Sequence, residues 1–66
     1  MDYNPLLQIN LAYTHYKNKQ SYQIIDFCKI QENDIWIEAV IYKPIECNEL
    51  FVRSKKEFEK KFLLKN

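Results

Sequence analysis

Glycine is absent from the 66 residues of this chain, and proline occurs twice, at Pro5 and Pro44. Phosphate-binding loops of the P-loop and dinucleotide-binding types need backbone without a Cβ, so the absence of glycine excludes both. Turns that require a positive φ must then use asparagine or aspartate, the non-glycine residues that best tolerate it. The sequence predicts such turns at Asn18, Asn33, Asp34 and Asn48.

Long apolar runs are also missing, since no stretch reaches the roughly eighteen residues that a membrane-spanning helix needs. The first residues lack the basic and apolar regions of a signal peptide. Two cysteines occur, Cys28 in a predicted strand and Cys47 in a predicted loop, too few for the disulfide framework of a small secreted protein. We therefore expect a cytoplasmic protein with two reduced thiols and no membrane partner.

A length of 66 residues allows a single domain, residues 1–66, with a thin core. With 47% hydrophobic residues, the composition is that of a folded protein and not of a disordered tail. The formal net charge of +1 indicates no partner by itself, but the charges are unevenly placed. Residues 1–52 carry four lysines and seven acidic residues, whereas residues 53–66 carry six basic and two acidic residues. A basic C-terminal segment follows a mildly acidic body.

Four segments rich in β-branched and aromatic residues predict an antiparallel sheet after a short N-terminal segment, residues 1–11. The predicted strands are residues 12–17, 21–30, 35–43 and 49–53. Polar residues fill the first two turns, and Pro44 is expected to end the third strand because it cannot donate to a ladder. Near the N-terminus, Asn4 and Pro5 favour a short helical turn.

The C-terminal segment, residues 54–65, predicts an amphipathic helix. Ser54 and Glu57 fit the capping box, in which each side chain satisfies an exposed backbone donor of the other residue. Phe58 and Phe62 lie four residues apart on one helical face and are expected to dock the helix on the sheet. The predicted architecture is a mainly β, SH3-like antiparallel barrel or sheet of about four strands with this helix. A flat α+β meander is the alternative.

Strand alternation gives the third strand two different faces. The aliphatic face is predicted to be the core face, and its residues are Ile35, Ile37, Ala39 and Ile41. Ile37, Ile41 and Val52 are the expected partners of the helix phenylalanines. The opposite face is predicted to be more exposed, and its residues are Trp36, Glu38, Val40 and Tyr42.

Four pieces of the chain, taken in order, resemble one protein family. They are Tyr13-Thr14-His15-Tyr16-Lys17, Tyr22, Leu50-Phe51-Val52-Arg53 and Phe58. The chain resembles the bacterial and phage domain-of-unknown-function family sixteen-fifty-three, whose pattern is Tyr-x-His-Tyr-Lys-Gly, a tyrosine, Trp-Val-Arg-Pro and a phenylalanine. The resemblance covers roughly residues 11–62. It implies a fold unit and a set of distinctive residues, but no reaction.

Several positions depart from that pattern. The glycine is replaced by Asn18, the tryptophan by Phe51, the proline by Ser54, and a tyrosine of the third strand by Glu38. Turn chemistry permits asparagine in place of glycine.

Catalytic chemistry finds little support in the sequence. His15 is the single histidine, and neither the serines nor the cysteines lie in a nucleophile motif, so a structural histidine is the better interpretation. His15, Cys28 and Cys47 are one ligand short of a closed zinc site and lack metal-binding spacing. We expect no enzyme, no metal and no cofactor.

Two functional hypotheses remain. The first is a non-enzymatic module that binds a protein or small ligand through an aromatic and arginine face; by analogy of size it includes phage-type inhibitors of host systems. The candidate ligand-binding residues are His15, Tyr16, Trp36, Tyr42 and Arg53. The second is a nucleic-acid-binding module that adds the C-terminal lysines to that face. The structural alternative is that Trp36 belongs to the core and that Arg53 forms an ion pair with Glu38 or Glu49. An exposed strand edge could also pair with a second copy of the chain, so a homo-oligomer is an open alternative.

Overall fold

The computed structural model describes residues 7–64, which form five strands and one short helix. The strands are β1 (Ala12–His15), β2 (Ser21–Glu32), β3 (Ile35–Pro44), β4 (Phe51–Ser54) and β5 (Phe62–Leu64), and the helix is α1 (Lys55–Lys61). All neighbouring strands pair antiparallel in the order β4-β3-β2-β1-β5. The predicted mainly β fold with a C-terminal helix is confirmed. The predicted barrel is not closed within the described residues, because β4 and β5 remain the edges of an open sheet.

Tight turns without glycine connect the first three strands. Asn33 and Asp34 join β2 to β3 with the predicted positive φ, 51° and 65°. The turn has two residues and not the predicted four, residues 31–34, because β2 extends to Glu32. The prediction for Asn18 and Asn48 is wrong, because the neighbouring Lys19 takes the positive φ of 62° and Asn48 has none. The predicted helical turn starting at Asn4 begins outside the described residues.

The helix is shorter than predicted and is followed by an additional strand. Ser54 caps α1, since its Oγ accepts a hydrogen bond of 3.1 Å from Glu57 N, as the sequence predicts. The reciprocal half of the capping box is not formed: the Glu57 carboxylate pairs with Lys61 at 3.2 Å. The helix ends at Lys61 because Phe62 pairs with His15 of β1, and this non-local pairing overrides helical periodicity.

The hydrophobic core lies between α1 and one face of the sheet. Its buried members are Tyr13, Tyr22, Ile24, Val40, Tyr42, Phe58 and Phe62. The predicted docking of α1 through both phenylalanines is confirmed, but the predicted partners are wrong. Phe58 contacts Tyr13 and Tyr42, with ring centres 5.4 Å and 5.2 Å apart. Aromatic edge-to-face contacts therefore replace the expected aliphatic packing.

The core face of β3 is not the predicted one, although Ala39, one of the four residues predicted for the core, is buried. Val40 and Tyr42 are buried beneath α1, whereas Ile35 is 63% exposed. Ile37 and Ile41 alternate with the buried residues and so belong to the other face of the strand. A bulge at Ile25 in β2 changes which β2 residues oppose this core face, a shift that strand alternation cannot anticipate.

Beyond the core, β2 and β3 project as a two-stranded ribbon, residues 26–38, which we call the hairpin arm. β1 pairs with β2 at residues 21–23, and β4 pairs with β3 at residues 39–42, so neither strand extends along the arm. Trp36 lies opposite Gln31 near the tip and is 64% exposed. The predicted exposure of Trp36 is confirmed, and the alternative of a core tryptophan is wrong.

Because Trp36 is the only tryptophan, its fluorescence reports on the hairpin arm. We expect a red-shifted emission maximum and strong quenching by both acrylamide and iodide. A blue-shifted spectrum that acrylamide leaves unquenched would contradict the position of this side chain.

The two cysteines are free thiols, Cys28 in β2 and Cys47 in the loop after β3, as the sequence predicts for their placement. In the described part of the chain, no helix has the length and apolar character needed to cross a membrane.

Candidate functional site

The concave face of the sheet curls until side chains of its two edge strands meet. Arg53 of β4 places its guanidinium carbon 5.5 Å from the centre of the Phe62 ring of β5. Tyr42 of β3 also reaches Phe62, with 5.2 Å between the ring centres. Side chains occupy the gap between the edges, and a pocket of about 280 Å³ lies there. We call it the Arg53 pocket; it is lined by His15, Asn18, Tyr22, Tyr42, Phe51, Arg53 and Phe62.

Strand register explains why Arg53 points into this pocket. It lies directly opposite Val40, and residues directly opposite each other in an antiparallel pair share a face, here the core face. The Arg53 Nε–H donates a hydrogen bond of 2.9 Å to the Tyr42 hydroxyl, which fixes the guanidinium. Among residues 7–64 the two Nη groups have no hydrogen-bond acceptor and the guanidinium has no ion-pair partner. Arg53 is thus a half-buried, positioned and unneutralised cation.

His15 adds a second donor. The backbone N–H of Lys17 donates a hydrogen bond of 3.1 Å to His15 Nδ1, so the neutral ring carries its proton on Nε2. The ring is held by an edge contact with Phe62 at 4.8 Å and by stacking on Tyr16 at 5.2 Å between centres. The strand position and these two rings set the orientation of the imidazole in the pocket wall.

The turn between β1 and β2 closes the pocket on one side. Asn18 Oδ1 accepts a hydrogen bond of 2.8 Å from Gln20 N, and Asn18 Nδ2 donates one of 3.1 Å to the Tyr22 hydroxyl. The asparagine that replaces the glycine of the family pattern therefore shapes the turn with its side chain and ties it to β2.

Positive charge accumulates around His15. Partial burial and the charges of Arg53, Lys61 and Lys17, named in order of size, lower the pKa of His15 below its ordinary value of 6.5. In the unfolded chain the ring binds a proton more readily than in the folded protein. The neutral His15 ring therefore contributes to the stability of the folded protein above pH 6.5. This contribution is lost as the pH falls from 6.5 toward the lowered pKa of the folded state.

The pKa of His15 can be measured directly because it is the single histidine. An NMR titration of its imidazole signals should give a pKa below 6.5. The substitution Arg53→Gln should raise that pKa, because Arg53 is the charged neighbour that lowers it most. An unchanged pKa in Arg53→Gln would contradict the proximity of the two side chains.

The predicted ligand-binding residues are only partly brought together. His15, Tyr42 and Arg53 line one pocket, and Tyr16 stacks on the back of His15. Trp36 does not line it: this side chain lies six residues along β3 from Tyr42, about 20 Å for an extended strand. The predicted single aromatic groove is therefore divided between the Arg53 pocket and the hairpin arm. Tyr42, expected on the exposed side, is 5% exposed and acts from the core.

The alternative ion pairs of Arg53 are not formed, since Glu38 pairs with Lys55 at 3.6 Å and Glu49 has no ion pair in the described structure. Sequence reasoning missed Phe62 and Phe51 as pocket residues. Phe51 occupies the tryptophan position of the family pattern, and this was the available signal. Phe62 reaches the pocket through the unpredicted strand β5.

Three larger depressions in the described part of the chain offer less specific chemistry. One of about 870 Å³ separates the hairpin arm from α1, and its lining mixes glutamates and lysines, so the charges offset one another. A second, of about 560 Å³, lies beside Pro44 and Cys47 and has no basic side chain in its described lining. A third, of about 460 Å³, borders Leu7 and Phe27 and includes the paired Glu38 and Lys55. In residues 7–64, no group of three histidine, cysteine or acidic side chains is arranged to hold a metal ion.

Comparison with known families supports the resemblance seen in the sequence. The model of a family described as a protein of unknown function, DUF1653, matches residues 11–65. The chain belongs to this family. Comparison with curated proteins and with solved structures gives no match. The match covers β1 to β5 and therefore includes all seven residues of the Arg53 pocket.

Proposed function

We propose that this DUF1653 protein is a cytoplasmic, non-enzymatic binding module whose ligand site is the Arg53 pocket. The observation that carries the proposal is the guanidinium of Arg53, which has no ion-pair partner among residues 7–64 and is fixed by Tyr42 within an aromatic wall. Burying part of a cation that has no carboxylate partner costs folding free energy. A role in stability therefore does not explain the position of Arg53. A ligand with an anionic group would supply the missing partner, and Arg with Tyr is a combination enriched where binding energy concentrates.

The alternative function, binding of nucleic acid, uses the same face less well. Stacking platforms for bases must be exposed. Tyr16 and Trp36 are exposed but do not line the Arg53 pocket, whereas Tyr42 and Phe62, which line it, are buried in the core. Two of the C-terminal lysines, Lys55 and Lys61, are paired with glutamates and offer less charge to a phosphate backbone. These contacts favour a compact ligand group over an extended strand.

The proposal can be tested by a fragment screen followed by ¹H–¹⁵N NMR, with neutral, anionic and cationic fragments represented equally. We expect binding fragments to shift the signals of residues 15–18 and of Arg53, and these shifts to disappear in Arg53→Gln. A single-stranded oligonucleotide serves as the comparator. Fragment shifts confined to the hairpin arm, or oligonucleotide shifts centred on the exposed Lys56 and Lys60 with steep salt dependence, would contradict the proposal.

A further inference from the structure

The free edge of the Arg53 guanidinium restricts which anions fit. A guanidinium can hold a carboxylate side-on through Nε and one Nη, or end-on through both Nη groups. The side-on edge is occupied, because Nε–H already donates to the Tyr42 hydroxyl at 2.9 Å. Among the described residues the end-on edge has no partner, and its two parallel N–H donors match the spacing of the two oxygens of one carboxylate.

Two other polar side chains of the pocket, His15 and Tyr42, also offer donors, whereas Asn18 and Tyr22 are engaged with each other and with Gln20. His15 has its Nδ1 engaged by Lys17 N and so carries a proton on Nε2. The Tyr42 hydroxyl accepts from Arg53 and keeps its own proton to donate. No carboxylate belongs to the described lining of the pocket. A ligand group that accepts several hydrogen bonds and carries negative charge is complementary to this set.

Phosphate fits this set less well than carboxylate does. Proteins commonly hold phosphates with clustered backbone N–H groups, at helix N-termini or in glycine-rich loops. The chain contains no glycine, and the first turn of α1 is capped by Ser54, whose Oγ accepts from Glu57 N. Although a guanidinium fork also matches phosphate, the donors described in the Arg53 pocket are side chains without such a backbone cluster, and this favours carboxylate.

The size and walls of the pocket restrict the rest of the ligand. Its volume of about 280 Å³ lies just below the range of roughly 300–1,000 Å³ that is typical of drug-sized ligands. Phe62 and Tyr42 form the inner wall, and Phe51, 38% exposed, forms the rim. Resting on the proposed function, we propose that the ligand is a small organic acid whose carboxylate binds end-on to Arg53 and whose apolar part contacts these rings.

Three ligands with the same ring and different head groups test this inference: benzoate, benzamide and phenyl phosphate. Each is titrated into the ¹⁵N-labelled protein at pH 7 while the Arg53 Nε–Hε and His15 signals are followed. Benzoate should bind at least about tenfold more tightly than benzamide, because the lost interaction is a charge-assisted pair. Bound benzoate should also raise the pKa of His15, since it offsets the charges of Arg53, Lys61 and Lys17.

Variants separate the shape of the donor from its charge. Arg53→Lys keeps the positive charge but loses the fork, and it should weaken benzoate at least about fivefold, whereas a site that only needs charge would be unaffected. Tyr42→Phe, which frees the guanidinium without removing the ring, provides a second test if Arg53→Lys folds poorly. Lys56→Gln removes an exposed lysine outside the pocket and is the matched control, with unchanged affinity expected.

The outcomes distinguish this inference from the proposed function. Tighter binding of phenyl phosphate or benzamide than of benzoate, at the same residues, would overturn the carboxylate assignment and leave a binding pocket in place. Absence of any shift at Arg53 and His15 with all three ligands and throughout the fragment screen would overturn both.

Discussion

Replacing Phe58 by alanine is expected to lower the free energy of unfolding by about 3–5 kcal/mol. The Phe58 ring is fully buried between α1 and the sheet and contacts three other rings, with Phe62 stacked at 4.1 Å between centres. A domain of this size has a total stability of roughly 3–10 kcal/mol, so this single change removes a large part of it. Urea denaturation followed by circular dichroism is the appropriate measurement, because Trp36 lies on the hairpin arm and its fluorescence reports poorly on the core.

Leu63→Ala is the matched control for Phe58→Ala. Leu63 lies in β5, between two core-facing neighbours, but its own side chain is 63% exposed. We expect a loss below about 1 kcal/mol, since exposed side chains contribute little. Equal losses in the two variants, or an unchanged midpoint in Phe58→Ala, would contradict the assignment of the core to this face of the sheet.

Arg53→Gln is expected to produce the largest effect on binding, a loss of at least about tenfold in affinity for benzoate. The variant removes the charge and one hydrogen bond to Tyr42, so the stability cost should stay near about 1 kcal/mol. Isothermal titration calorimetry gives the affinity, and thermal unfolding of the same samples gives the stability. Affinity lost in proportion to stability would indicate a structural role for Arg53, whereas affinity lost with the fold intact indicates a binding role.

Local features of the fold could be predicted from the sequence, and features set by tertiary contacts could not. The hairpin turn at Asn33 and Asp34 and the cap at Ser54 depend on neighbouring residues, and both predictions are correct. The end of the helix depends on Phe62 pairing with His15, 47 positions away in the chain, and the prediction failed there. The core face of β3 depends on where α1 packs and on the bulge at Ile25. The alternation of residues along the strand predicts neither of these.

The candidate site shows the same division. His15 and Arg53 were identified because both belong to the distinctive segments of the family pattern, and the curl of the sheet brings them to one pocket. Trp36 was grouped with them by residue type, but strand length separates the hairpin arm from the pocket. Aromatic residues that look alike in the sequence thus lie on two different surfaces, the hairpin arm and the Arg53 pocket. The order and register of the strands decide on which surface each residue lies.

The most direct test of the Arg53 pocket as a binding site is a crystal structure of the protein grown with benzoate. We predict one benzoate between β4 and β5, with its carboxylate in the plane of the Arg53 guanidinium and within hydrogen-bond distance of both Nη groups. His15 Nε2 should donate to one of the same oxygens, and the Arg53 Nε–H should still contact Tyr42. Benzoate bound at the hairpin arm, or an Arg53 side chain turned out of the pocket toward solvent, would contradict this account.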